Sequence, residues 1–204
     1  MELYLMGCDN ISVALTGASG IIYGIKLLDA INKLNINIKG IIYSKGSIEV
    51  AKAEEGISEE DFIKILRKFG EIYDEDNFNS PLASSSNISK CMIICPASMK
   101  TVGLIANGIP MNLVSRAALA HLRLKRPLII AFRETPLGTA ELTNLLKISR
   151  YGGIIMPLSP GFYSNKSNID DMINFMIGKI LDVLNIQNNF YRRWDPKSSS
   201  LEDS

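Results

Sequence analysis

The stretch Ile11-Ser-Val-Ala-Leu-Thr-Gly-Ala-Ser-Gly-Ile-Ile-Tyr-Gly24 decides how the rest of this chain is read. Ile11 to Leu15 reads as a buried β-strand, and from Ile21 apolar residues recur at helical spacing to about Leu34. A strand therefore passes through a glycine-rich turn into a helix, a junction that binds anions. Gly17 and Gly20 let a ligand approach the backbone, the free amides and positive dipole end of the new helix face a phosphate, and the Ser19 hydroxyl adds a donor. The bias is toward a nucleotide or a flavin. NAD(P) fits poorly, because the spacing is Gly-x-x-Gly-x-x-x-Gly and the second strand, Ile38 to Tyr43, ends in Ser44-Lys45 rather than in the acidic residue that binds an adenosine ribose. Nor does any Tyr precede a Lys by four positions, as short-chain dehydrogenases need.

Outward from that junction the chain alternates strands with helices. Gly46 to Glu55 begins a helical stretch, and Ser58 with Asp61 caps a helix running to Lys68. Residues 70–89 lose all periodicity and read as a long surface loop. Cys91 to Cys95 is an apolar strand ending at Pro96, and Ser98-Met-Lys-Thr101 is an N-cap and first helical turn, a second candidate anion site. The helix from about Asn112 to Arg123 carries Arg116 and Arg123 two turns apart on one face, where they could hold a phosphate. Pro127 to Phe132 is a buried strand with Arg133 and Glu134 just beyond it, and Thr135 and Pro136 suit the cap and first turn of the next helix. After a last strand, Gly153 to Met156, the loop Pro157 to Tyr163 brings Tyr163 to the same edge. Asp170 to Leu184 is an amphipathic helix with Lys179 off its apolar face.

This alternation predicts an α/β fold, a three-layer Rossmann-like or flavodoxin-like parallel sheet with helices on both faces, in one domain over 1–195 with a disordered tail over 196–204. In a parallel sheet Ser19, Ser44, Ser98, Arg133 and Tyr163, each just after a strand, converge on one edge.

Composition narrows the function. The chain has 204 residues, 47% of them hydrophobic, and a net charge of +1, which argues against nucleic acid or an anionic membrane as the principal partner. No apolar run approaches the ~20 residues of a membrane span, and the opening Met1-Glu2 lacks the basic start of a signal peptide, so the expected location is cytoplasmic. Cys8, Cys91 and Cys95 form no Cys-x-x-Cys pair, and the two on one strand are too far apart to bridge, so all three read as small buried hydrophobes. His121 stands alone and reads as a packing or surface residue, Asp170-Asp171 as charges favourable to a helix dipole, and no catalytic metal is expected.

Taken together the motifs resemble the UbiX flavin prenyltransferase family from about Ile11 to Trp194. They are Thr16-Gly-Ala-Ser-Gly-Ile-Ile-Tyr-Gly24, Ser44-Lys45 with Glu54, Ala83-Ser-Ser-Ser86, Cys95-Pro-Ala-Ser-Met-Lys-Thr101, Ser115-Arg-Ala-Ala118, Arg133-Glu-Thr-Pro-Leu137, Met156-Pro157, Pro160-Gly-Phe-Tyr163 and Arg193-Trp194. The resemblance implies transfer of a dimethylallyl group from dimethylallyl monophosphate to N5 and C6 of reduced FMN, giving the prenylated FMN used by UbiD-type decarboxylases, without a metal and in a homo-dodecamer. It implies that Gly17, Ala18, Ser19, Ser44, Ser98, Met99, Lys100, Thr101 and Arg133 bind FMN. Arg123, Glu134, Tyr163 and Lys179, together with Arg116, would surround the prenyl phosphate, and Trp194 would help close the site. Ser19, Glu54 and Glu134 are the implied catalytic residues, Glu54 reaching the flavin from a neighbouring subunit. The family commonly has Lys where this chain has Arg123, and Arg where it has Lys179, so charge is kept while donor geometry changes.

Two alternatives share the fold. FMN-dependent cysteine decarboxylases carry an Ala-Asn-Thr ending where this chain has Ser98-Met-Lys-Thr101, and a catalytic His upstream of it, whereas His121 lies downstream. A flavin carrier without catalysis would leave Glu54 and Glu134 unexplained.

Overall fold

The computed structural model describes residues 7–161 and 168–194; Tyr163 and the expected tail over 196–204 lie outside them. Six strands, β1 (Asn10–Leu15), β2 (Asn37–Tyr43), β3 (Ile72–Asp74), β4 (Cys91–Ala97), β5 (Leu128–Phe132) and β6 (Ile154–Pro157), form one sheet in the order β3-β2-β1-β4-β5-β6. Every pairing is parallel. The central strands β4 and β5 are buried at each residue, as strands covered on both faces must be, whereas the short edge strands β3 and β6 are not.

Among the described residues seven α-helices cover the sheet: α1 (Ile21–Lys33), α2 (Lys45–Glu55), α3 (Glu59–Arg67), α4 (Met99–Ala106), α5 (Leu113–Arg123), α6 (Thr139–Arg150) and α7 (Ile169–Val183). Residues of α1, α2, α3 and α7 pack with Ile11, Val13 and Leu15 on one face, while α4, α5 and α6 pack with Ala14, Met92 and Ile94 on the other. Because β1 and β4 are neighbours whose following helices leave to opposite faces, a crevice opens at their carboxyl ends, the switch point where such sheets bind ligands.

Local chemistry accounts for most boundaries. Ser58 Oγ accepts from Asp61 N at 3.1 Å and caps α3 as expected, and Asn168 caps α7 with Asp170 and Asp171 in its first turn. Three expectations need correction. Residues 70–89 are not all loop, since they contain β3 and a 3-10 turn at Pro81–Ala83; three residues on a sheet edge are too few to show alternation. Thr135 and Pro136 do not start α6, which begins at Thr139 where the Glu141 carboxylate accepts from Gly138 N at 2.9 Å. Cys8 and Cys91 are not separate hydrophobes but a disulfide, because the β1–β4 pairing sets the residues at those strands' entrances side by side; Cys95 is free and buried. No helix among the described residues is long and apolar enough to cross a membrane.

Candidate active site

The carboxyl ends of β1 and β4 are clasped by one side chain. Thr16 Oγ1 donates to Pro96 O at 2.8 Å and accepts from Ser98 N at 2.8 Å, so the turn after β1 and the start of α4 hold a fixed distance. The Gly17 turn then meets the first turn of α2: a Cβ on Gly17 would lie 2.8 Å from Gly46 Cα, so both positions need glycine for this approach. Ser44 caps α2 through Ser47 N at 3.1 Å, and Ser98 caps α4 through Thr101 N at 3.3 Å. Between these elements lies a cavity of about 300 Å³, with Gly17, Ser44 and Gly46 on one side, Ser98 to Thr101 on the other, and Glu75 and Glu134 in its wall. A second cavity of about 200 Å³ shares Glu134 and runs over Arg133, Thr135 and Pro157 to Ser159.

At the start of α1 the structure departs from the expected phosphate site. Glu54 Oε2 accepts from Gly20 N at 2.8 Å and from Ile21 N at 3.3 Å, so a carboxylate of the protein already occupies the amides left free by the turn. Glu54 meets these amides within its own chain. Partial burial pushes this carboxyl up, but hydrogen bonds from Ser19, Gly20 and Ile21 and the nearby Arg133 charge outweigh it and hold the group below the usual carboxylate range. Two of the expected catalytic residues, Ser19 and Glu54, are thus brought together, with the expected flavin ligand Arg133 nearby. The start of α2 is occupied likewise, with Glu75 Oε1 accepting from Lys45 N at 3.1 Å. At α4 the amides of Met99 and Lys100 have no intrahelical partner and border the larger cavity.

The expected phosphate cations are not gathered at this edge. Helix α5 starts at the carboxyl edge with Asn112 and runs back toward the entrance of β5, so Arg123 in its last turn stands at the opposite edge. A shared helical face is therefore insufficient to place Arg116 and Arg123 in one site. Arg116, one turn into α5, donates from Nε to Ala83 O at 2.7 Å. Lys179 Nζ sits 5.1 Å from the Tyr191 ring centroid and 5.6 Å from that of Phe175, and lines neither cavity. Arg193 forks onto Asp182 at 2.6 and 3.0 Å, and Trp194 beside it is 63% exposed. Tyr163 is outside the described residues. Sequence reasoning assigned no site role to Thr16, Gly46, Glu75 or Asn112. Of these Thr16, directly after β1, and Gly46, three residues after β2, carried a local signal.

A second polar cluster lies at the amino ends of the strands. His121 is fully buried; its Nδ1 lies 2.8 Å from Ala117 O and its Nε2 3.1 Å from Ser89 Oγ, which in turn accepts from Ser12 Oγ at 2.7 Å. The carbonyl at Nδ1 requires a proton there, so Nε2 faces the serine as an acceptor and shares the single Ser89 hydroxyl proton with Cys91 O. Arg126 donates to the Ile88 and Ser89 carbonyls at 2.7 and 2.8 Å. Burial first, and Arg126 in addition, push the His121 imidazole down to about 4.

With that geometry in place, likeness to known proteins is informative. The Flavoprotein family pattern matches residues 4–185. The flavin prenyltransferase UbiX of Saccharolobus solfataricus is 48% identical over 188 residues, covering 91% of this chain and 92% of that protein. The crystal structure of AnUbiX (PadA1) in complex with FMN and dimethylallyl pyrophosphate superposes with a TM-score of 0.85 at 32% identity, over 91% of this chain and 97% of that one. A dodecameric FMN-dependent UbiX-like decarboxylase from Escherichia coli O157:H7 gives 0.84 at 30% identity, over 91% and 99%.

Proposed function

The chain belongs to the Flavoprotein family and, within it, to the UbiX flavin prenyltransferases, and from that premise we propose that it transfers a dimethylallyl group from dimethylallyl monophosphate to N5 and C6 of reduced FMN in the crevice at the carboxyl ends of β1 and β4. The single observation that carries this placement is the state of the helix starts. Glu54 takes the first amides of α1 and Glu75 the first amide of α2, whereas at α4 the amides of Met99 and Lys100 both border the larger cavity. A flavin phosphate fits against Ser98, Met99, Lys100 and Thr101, where amides, hydroxyls and a lysine supply donors and charge. Gly17, Ala18 and Ser44 border the rest of the flavin, and Arg133 stands between its second cavity and Glu54.

Reduced FMN supplies the electron-rich nucleophile, so the chain needs no nucleophilic side chain. What its residues supply is charge and proton handling. Bond formation at C6 releases a proton, and Glu54, kept ionised by Ser19 and the α1 amides, is the acceptor, with Ser19 positioned to relay it. Glu134, shared by the two cavities, lies between flavin and prenyl donor. The departing phosphate requires preplaced cations. Because Arg123 and Lys179 stand away from the cavities of their own chain, they act on the site of a neighbouring copy, with Arg116 and Trp194 completing that wall, and Tyr163 is a further ligand of the prenyl phosphate. Exposed Leu142 and Leu146, one turn apart on α6 and 54% and 50% exposed, support a homo-oligomer, and the dodecamer of the Escherichia coli relative is its expected form. The product passes to a UbiD-type decarboxylase in the cytoplasm.

The test is anaerobic incubation of the purified protein with reduced FMN and dimethylallyl monophosphate, followed by the mass of the extracted flavin. A gain of one isoprene unit is expected with EDTA present, and the diphosphate is run alongside as a second donor. An unchanged flavin mass with either donor refutes the assignment.

A further inference from the structure

Glu75 is the one carboxylate of the larger cavity that the chemistry above leaves unused, and it is only 8% exposed. Its position is set from four directions. Its backbone N donates to Tyr43 O at 3.0 Å and its carbonyl accepts from Leu113 N at 2.7 Å, while its carboxylate accepts from Lys45 N through Oε1 and from Asn112 Nδ2 through Oε2. One residue thus joins the end of β2, the first turn of α2 and the first turn of α5. Asn112, 5% exposed, is equally fixed: its Oδ1 accepts from Ser115 N and Ser115 Oγ, both at 3.0 Å, so only its amide nitrogen can face Glu75.

Both groups that face the carboxylate are therefore donors, and two acceptors on one planar end are required. A glutamine there would present an amide to one donor and leave a buried polar pair mismatched. The tie also bears on the ligand. It fixes the first turn of α2, whose Gly46 meets Gly17, and so holds the cavity wall opposite Ser98 to Thr101. It occupies the Lys45 amide as well, which withdraws that donor from an entering phosphate. We infer that Glu75, held by Asn112, is a positioning residue for FMN that sets the distance between the α2 and α4 walls. The inference rests on the reading of this cavity as the FMN site.

A swap of hydrogen-bond polarity tests it. Glu75→Gln sets amide against amide, and Asn112→Asp sets carboxylate against carboxylate. Combining the two substitutions replaces both contacts in kind, because the new side-chain amide donates to the new carboxylate while its oxygen still accepts from Lys45 N. Each single variant is expected to raise the FMN Kd and the KM for FMN by about tenfold or more. Turnover at saturating FMN and the KM for dimethylallyl monophosphate should stay within about twofold, and the double variant should bind FMN within about threefold of the unmodified protein. Circular dichroism at the assay temperature confirms folding; if Glu75→Gln does not fold, Asn112→Asp and the double variant carry the same comparison. Unchanged FMN affinity in a folded single variant, a loss confined to thermal stability, or a double variant no better than the poorer single one overturns the inference. Ser98→Ala separates the two levels: if it leaves FMN affinity intact, the FMN-site reading fails, whereas a weakened Ser98→Ala beside an unaffected Glu75→Gln sinks only the role of Glu75.

Discussion

At the amino ends of the strands, Ser12, Ser89, His121 and Arg126 make a cluster as rich in polar groups as the one at the carboxyl ends, where Ser19, Ser44, Glu54, Ser98 and Arg133 gather. The amino-end cluster closes on itself. Ser12 donates to Ser89, Ser89 meets Cys91 O and His121, His121 turns its other nitrogen to Ala117 O, and the disulfide Cys8–Cys91 lies alongside. At the carboxyl ends the serines cap helices, yet the amides of Met99 and Lys100 and the charges of Lys100 and Arg133 remain turned to cavities. A serine beside a buried histidine is thus no indicator of catalysis here. What marks the site is polar capacity that the fold itself leaves unused.

The largest expected effect lies at the carboxyl edge. Glu54→Gln removes the proton acceptor while keeping volume, and should lower single-turnover prenyl transfer by about 10²–10⁴-fold with little change in FMN affinity; a rate within a few-fold of the original contradicts the assigned role. Arg123→Ala and Lys179→Ala come next. Each removes charge that meets the departing phosphate, worth roughly 2–4 kcal/mol or about thirty- to several-hundred-fold in rate. If these cations serve a neighbouring copy, as proposed, mixing impaired Arg123→Ala with impaired Glu54→Gln subunits should restore activity in hybrid oligomers, and verified hybrids no faster than the impaired parents would refute the shared site.

The amino edge should respond in stability rather than in rate. His121 is held neutral in the fold, with its pKa lowered to about 4 from the ordinary 6.5. The unfolded chain therefore binds the proton more tightly. The contribution is complete above about pH 6.5 and is lost as pH falls toward 4, on the order of 3 kcal/mol in all. Denaturant titrations between those pH values should show this slope in the original protein and lose it in His121→Leu; an identical slope in both contradicts the assignment. The smallest effect belongs to Asp9 and Lys90, an exposed pair at 2.8 Å that spans the same two strands as the disulfide. Lys90→Ala should cost under about 1 kcal/mol, and equilibrium unfolding that shows a loss of several times that amount would contradict a solvent-screened pair.

The comparison also explains what the sequence reveals. Ser44 and Ser98 follow strands directly, and glycine spacing announces the Gly17 turn, so the carboxyl edge is legible from local pattern. Glu54 at Gly20, Glu75 at Asn112, His121 at Ser89 and Cys8 at Cys91 are pairings across 34, 37, 32 and 83 residues, created only when β1, β2 and β4 come together. Helical spacing places Arg116 and Arg123 on one face but is silent on which edge each reaches. The true start of α6 did have a local sign, Glu141 three residues after Gly138, outweighed by the more familiar look of Thr135-Pro136.

The separation of the two edges is tested most directly by measuring the FMN Kd and the thermal midpoint side by side for Ser98→Ala and His121→Leu. The expected result is a crossed pattern: Ser98→Ala weakens FMN by about tenfold, from the loss of a hydrogen-bonded contact, and lowers the midpoint only by the loss of one helix cap, while His121→Leu shifts the midpoint and leaves FMN affinity intact. Weakened FMN binding in folded His121→Leu, or unaltered binding in Ser98→Ala, would contradict it.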